Sequence, residues 1–341
     1  MTKNIYYVGI DIAAYSFVAS IYQSPKQPVI TKEGFENTFD GFNIFGSWIT
    51  VQNINPKNCV ICMEATGVYS EGIAHFLVTQ GFKVSVEPPL KVKRAFDPVG
   101  HKTDPVDSRQ IAEYAYRYSD ELRFWQPKDE IIEKIRHLLT AREQFTKQSV
   151  ALQNAMGAYK RHLVQVPLIT TAHSHILKEL KKQIAEIDKE LEQLVRKNPT
   201  ISNMKNQLIS LPGYGLLLSS SLIAITSAFS EITSYKTLAA FIGICPYQHQ
   251  SGKSVYRQAH IRPFGSQYAR KLLMLAAWSV VTHNADFKKY YLRKLAEGKA
   301  KKLVLNNVAN KLVKIACAMI KNNSRYVSTY RSVNPMCLIS A

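Results

Sequence analysis

Apolar residues alternate with small and polar ones along YYVGIDI and SFVASIY, two runs rich in Val, Ile, Tyr and Phe and separated by a few residues. That pattern predicts a β-hairpin. GFNIFGSWIT predicts a helix, NCVICME a buried strand, and SEGIAHFLVTQG a helix stopped by Gly81. FKVSVEPP reads as a further strand, and Asp104-Pro105 as the N-cap and first position of another helix. A hairpin followed by βαβα units gives an α/β domain over residues 1–125, a mixed sheet flanked by helices.

The period then changes. Leu177, Leu180, Ile184, Ile187, Leu191 and Leu194 alternate three- and four-residue spacings amid Lys and Glu. This heptad seam makes residues 126–200 a coiled-coil region, either an intramolecular helical hairpin with residues 130–160 as partner or a dimerising coiled coil. Residues 201–325 read as a mainly helical domain, and residues 326–341 as a frayed tail. Between its helices, YQHQSGKSVYRQAHIRPFG is expected to be a long polar loop, too long to be a mere connection.

Charge separates these parts. Residues 1–130 hold 13 Lys and Arg against 15 Asp and Glu, whereas residues 131–341 hold 31 against 10. A near-neutral module is joined to a strongly basic one whose natural partner is a polyanion. Cys59 and Cys62 have CxxC spacing, but strand alternation puts them on opposite faces and no second pair completes a zinc set. The N-terminus carries no signal-peptide pattern, and the apolar stretches are too short or too interrupted to span a bilayer, so the expectation is a cytoplasmic protein with no membrane partner.

The candidate chemistry lies in four carboxylates. Asp11 ends the first strand, Glu64 ends another where MEATG turns, and Asp104 and Asp107 stand three apart at a helix start. Carboxylates placed this way bind hard divalent cations, and two such ions clamp the attacking and leaving oxygens of a phosphodiester. In the basic half, LPGYG holds the P-G-x-G of a helix-hairpin-helix turn, in which Gly213 and Gly215 let backbone N–H groups approach a phosphate; a plain turn between core helices fits the same residues. Lys102, Lys253, Arg257, Arg262 and Arg270 are candidate nucleic-acid contacts, with His101, His249 and His260 beside them, while Tyr69 reads as packing.

VGIDIAA, MEATGVY, HKTDPVDSRQIAEYA, LPGYGLLLSSSL, LAAFIGICPYQHQSGKS and IRPFGSQYARKLLMLAAW together resemble the DEDD transposases of bacterial insertion sequences, relatives of the Piv/MooV DNA invertases. The resemblance runs from about residue 5 to 320 with the motifs in order. It implies a RuvC-like first domain of RNase H fold, with Asp11, Glu64, Asp104 and Asp107 as a catalytic quartet holding Mg²⁺ (Mn²⁺ as substitute), and a serine nucleophile matching Ser251. Ser254 is the alternative serine and Ser266 lies nearby; IRPFG replaces the family's Ile-Ser-Lys-x-Gly, with Arg262 in the basic place. The resemblance further implies DNA as substrate, a structured bridge or seek RNA as guide, and a homo-oligomer, from dimer to tetramer.

Three functions follow as expectations. An RNA-guided recombinase would use Ser251 to form a transient phosphoserine link, conserving bond energy for rejoining. A RuvC-type endonuclease would hydrolyse with metal-activated water and ignore Ser251. A binding protein with a dead catalytic domain would not need all four carboxylates.

Overall fold

A computed structural model describes residues 5–96, 103–251, 255–261 and 265–328. The chain divides into two compact units, residues 1–127 and 128–341.

In the first unit, β1 (Tyr6–Ile12), β2 (Ser16–Tyr22), β3 (Ile30–Glu36), β4 (Cys59–Glu64) and β5 (Lys83–Glu87) form a sheet in the order β3-β2-β1-β4-β5. The expected hairpin is present: β1 and β2 pair antiparallel, and β2 pairs antiparallel with β3. β4 runs parallel to β1, and β5 parallel to β4. Between the strands lie α1 (Phe39–Val51) and α2 (Val68–Thr79); the short α3 (Pro89–Lys93) and then α4 (Asp104–Arg117) follow β5.

Strand alternation divides the sheet into two faces. Val8, Ile10, Ile61, Met63 and Val84 pack with Phe42, Phe45, Ile49, Ile73 and Leu77 of α1 and α2. Tyr7 and Cys62 pack with Ile111, Ala112 and Tyr114 of α4. Cys59 and Cys62 thus lie in opposite cores, as the alternation requires. Gly9 decides how close α4 comes, since a Cβ there would stand 2.2 Å from both Ala112 N and Ser108 O. Ser20 Oγ and Ser108 Oγ, 2.8 Å apart, pin the same crossing.

One local expectation is corrected. Thr103, in extended backbone, is the N-cap of α4 and makes no side-chain cap bond; Asp104 is the first helical residue and Pro105 the second. Pro105 needs no N–H donor there, and its ring holds Thr103–Asp104 at the helix entry.

The second unit begins with α5 (Glu130–Tyr159) and α6 (Pro167–Lys197), joined through residues 160–166 as a helical hairpin. α6, which carries the heptad seam, packs along α5 of the same chain. Leu191 and Val195 are fully buried and join the core of the later helices, while Leu177, Leu180, Ile184 and Ile187 are half-buried. Arg142 clamps the hairpin with a bidentate pair to Asp188, Nε–Oδ1 2.5 Å and Nη2–Oδ2 3.0 Å.

Then follow α7 (Pro199–Ile209), α8 (Leu216–Ile225), α9 (Tyr235–Ile242), β6 (Pro246–Ser251), β7 (Val255–Ile261), α10 (Gln267–His283), α11 (Ala285–Ala296) and α12 (Lys301–Lys321). The segment expected as a polar loop is instead an antiparallel hairpin, with Tyr247 opposite His260 and Ser251 opposite Val255. Its polar composition hides a run, VYRQAHI, whose β-branched and aromatic members suit a strand, and pairing satisfies backbone groups that a loop would leave to water. Among the described residues α12 is the one helix long and apolar enough to cross a membrane; half of its apolar window is buried against the other helices, and Lys311 and Lys314 interrupt it.

Candidate active site

The carboxylates gather through three independent local choices. Asp11 lies two residues beyond Gly9 and Glu64 two beyond Cys62, so both face the α4 side of the sheet at the C-terminal ends of adjacent parallel strands. α4 runs antiparallel to β1: Ser108 and Ala112 cross Gly9, and one turn further on the Tyr116 ring stands edge-on to Tyr7, 5.5 Å between centroids. The first turn of α4, carrying exposed Asp104 and half-buried Asp107, consequently lies toward the strand ends that bear Asp11 and Glu64. Its N-terminal dipole favours negative charge.

All four are hard oxygen donors, and that donor chemistry fits a divalent ion of the Mg²⁺ kind. Among the described residues no three His, Cys, Asp or Glu side chains close on a common metal position. The arrangement is an open carboxylate face. Lys102 and His101 fall outside the described residues.

Two features of this face escaped the sequence reading. Glu87 ends β5 in register with Glu64 and is 4% exposed, a fifth carboxylate on the same side of the sheet. Ser85 Oγ donates to it at 2.9 Å and Lys91 Nζ at 3.1 Å, so its charge is compensated within the fold. Burial first, then the charges of Glu87 and Glu64, push the Cys62 thiol up, which makes it an inert structural group. The period-2 alternation of KVSVE was the available signal. Asn37 Nδ2 donates to Ala13 O and Tyr69 O, each at 3.1 Å, bracing the turn after β1 against the first turn of α2. Tyr69 serves here through its backbone carbonyl.

In the second unit, Ser251 and Val255 face each other at the tip end of the β6–β7 ladder, and Arg257 pairs with His249. Lys253, Ser254 and Arg262 fall outside the described residues. The base of this hairpin is tied down on both sides. Asn306 Nδ2 and Asn310 Nδ2 both donate to Ile244 O, at 2.9 and 3.3 Å, just after the left-handed Gly243. Arg270 Nε donates to Ile242 O at 3.0 Å, so this guanidinium anchors the hairpin root. On the return side Gly265 (φ 107°) presses against Phe241 O, which would stand 2.2 Å from a Cβ, and Ser266 N donates to the same oxygen at 3.1 Å. Ser266 Oγ caps α10 by accepting from Ala269 N.

The two glycines of LPGYG part company. Gly213 (φ 83°) packs against α10, where a Cβ would meet Val280 Cγ1 at 2.7 Å and Ala276 O at 2.9 Å. Gly215, the N-cap of α8, has open space around it. The turn joins two core helices, and both of its glycines are exposed, although only Gly215 has room for a side chain.

Residues 8–166 match the model of a transposase family, the DEDD transposases of the IS110 type. Residues 205–292 match the model described as the transposase IS116/IS110/IS902 family. The pilin gene-inverting protein of Moraxella lacunata is 28% identical over 323 residues, covering 93% of this chain and 96% of its own length. The transposase for insertion sequence element IS1111A of Coxiella burnetii is 27% identical over 302 residues, 79% of each chain. A probable family 20 transposase of Pseudomonas aeruginosa is 23% identical over 303 residues.

Proposed function

The chain belongs to the IS110 family of DEDD transposases and is a DNA-rearranging enzyme; from that premise we propose that it cuts and rejoins DNA through two sets of groups, the carboxylates of the first unit and Ser251 of the second. The observation that carries the proposal is the common face of Asp11 and Glu64 with the acidic first turn of α4 directed toward it. Asp11, Glu64, Asp104 and Asp107 would hold Mg²⁺, which when bound supplies charge stabilisation at the phosphorus and the leaving oxygen.

Ser251 is the nucleophile of this reading. Its hydroxyl gives up a proton, its oxygen bonds to phosphorus, and the bond from phosphorus to one deoxyribose oxygen breaks, with that oxygen taking up a proton. Rejoining reverses the sequence: a deoxyribose hydroxyl of the new partner strand attacks the phosphoserine and serine leaves. One bond is made for each bond broken, so no external energy source is needed. Lys102, Gly213, Gly215, Lys253, Arg257 and Arg262 are proposed to meet nucleic-acid backbone, while the guanidinium of Arg270 anchors the hairpin root through its Nε. A structured guide RNA pairing with both DNA partners, assembly from dimer to tetramer, and action in the cytoplasm complete the proposal. Whether the outcome is inversion, as the name of the Moraxella relative describes for that protein, or transposition, as for the Coxiella relative, depends on the DNA partners.

The test is covalent capture. The protein, expressed with its native flanking DNA and supplied with Mg²⁺ and both DNA partners, is denatured and probed for protein-linked DNA. An adduct lost with Ser251→Ala and kept with Ser254→Ala is the expected result. Free cleaved ends without adduct, unaffected by Ser251→Ala, would replace the recombinase with a hydrolytic nuclease.

A further inference from the structure

The last helices carry a cluster of cations that local structure does not explain. Arg293 and Lys294 lie in the last turn of α11, where the helix dipole favours positive charge. Lys311 and Lys314 lie mid-way along α12, where it does not. Yet Lys311 Nζ sits 4.0 Å from the centroid of the Tyr290 ring of α11, and Arg293 Cζ sits 5.8 Å from the same ring. Lys314 Nζ stands 5.7 Å from the Tyr235 ring of α9. Tyr290 of α11 and Tyr235 of α9 therefore hold Lys311 and Lys314 of α12 in place.

Compensation within the cluster is slight. Glu297 accepts from Lys294 Nζ at 2.9 and 2.7 Å, with Arg293 Nε and Lys299 Nζ each 3.9 Å away. One carboxylate thus answers three cations, and Lys311 and Lys314 lie outside its ion pairs. Partial burial of the Lys311 stem, followed by the repulsion of Arg293, Lys294 and Lys314, holds its ammonium below the usual lysine range. A fold gains nothing by crowding like charges; an anion bridging them would remove the cost.

We propose that Lys311 and Lys314, aligned by Tyr290 and Tyr235, form with the neighbouring Arg293 and Lys294 a preorganised site for the backbone phosphates of a nucleic acid. The proposal rests on the DNA-rearranging function for the identity of the polyanion, and on the α9–α11–α12 geometry for the site. Lysine stems laid on aromatic rings lose little freedom when a phosphate arrives, so the site favours phosphate over diffuse counterions. Phosphate contacts of this kind position a nucleic acid without reading its sequence.

Lysine footprinting of the full-length protein tests it. Acylation of Lys311 is read peptide by peptide by mass spectrometry, with no addition, with duplex DNA, or with a hairpin RNA of equal length. Protection of Lys311 by either nucleic acid is expected, and which one protects names the source of the phosphate. In parallel, the slope of log affinity against log salt is expected to flatten by about one for Lys311→Met and by about two for Lys311→Met/Lys314→Met. Thermal stability of Lys311→Met should stay level or rise, because repulsion has been relieved. Equal labelling in all three arms, an unchanged salt slope, or a lowered melting temperature would each overturn the assignment. Protection of other lysines with Lys311 still reactive would leave nucleic-acid binding intact and reject this site alone. No strand exchange is needed for any readout, so failure of the proposed reaction would not be mistaken for failure of the site.

Discussion

The two units carry their proposed reactive groups by opposite means. The first gathers like charges onto a rigid element: Asp11 and Glu64 sit on neighbouring strands fixed by backbone ladders, and α4 lies so close over Gly9 that two backbones touch. The second carries Ser251 on a two-stranded hairpin whose ladder is its own, tied to the helical core at its base. The proposed metal-binding role requires several oxygens held against their mutual repulsion, and a sheet with a covering helix suits that task. A nucleophile of the proposed kind, which must engage one strand and then release it to another, gains from an arm whose root is fixed.

That contrast is broken most severely at the carboxylates. Asp11→Ala or Asp107→Ala should lower strand exchange on the order of a thousand-fold or more, since a bound metal supplies several kcal/mol of transition-state stabilisation. Binding to duplex DNA should remain within about twofold, because the basic unit is untouched. Exchange at the parental rate would remove Asp11 or Asp107 from the site.

Gly9→Val tests the rigidity of the sheet itself. Two added methyls and a Cβ where only 2.2 Å is available must displace α4, costing about 1–3 kcal/mol or more in urea unfolding of the first unit. Gly34→Ala (φ 79°, with nothing near the new Cβ) serves as the control for backbone strain alone. If Gly9→Val unfolds no more readily than this control, the close crossing is not what seats Asp104 and Asp107.

Asn306→Ala sharpens the other side. It removes a buried donor from Ile244 O and should cost about 1–3 kcal/mol. Serine–DNA adduct should fall further than stability predicts, with binding retained. A variant whose adduct yield simply follows its folded fraction would make Asn306 a stability residue only.

The smallest effect comes from pH. The Lys311 ammonium is disfavoured in the folded state by burial and by Arg293, Lys294 and Lys314. Below the folded pKa both states hold the proton; between it and the ordinary lysine value of about 10.4 the unfolded chain holds more protons. Stability from this group therefore rises with pH through that window. Lys311→Met should reduce that slope in denaturation curves recorded at alkaline pH below the ordinary lysine value of about 10.4; an identical slope in both proteins would assign the titration elsewhere.

Much of the first unit was legible because its signals are local. The strand runs of β1, β2, β4 and β5 alternate or stay apolar with the right residue types, and Gly81 stops α2 with a left-handed turn (φ 86°). β3 escaped because ITKEGFE buries little: Phe35 is its one fully buried side chain. Asp104 was read as the cap because Asp often caps, but Thr103 holds the extended conformation one residue earlier. The β6–β7 hairpin escaped because its polar side chains carry no hydrophobic period to read.

By itself the sequence determined the alternation that puts Asp11 and Glu64 on one face of their strands, the amphipathic helices, the heptad seam and the charge imbalance between the halves. These depend on residue type and spacing, which are fixed along the chain. Tertiary structure decided which strands became neighbours, so that Glu87 joined the carboxylate face, and chose α5 as the partner of α6. It turned Arg270 inward to a backbone carbonyl and brought Lys311 over Tyr290. Each of those outcomes joins residues distant in the chain, and only packing selects among the partners that local pattern leaves equivalent.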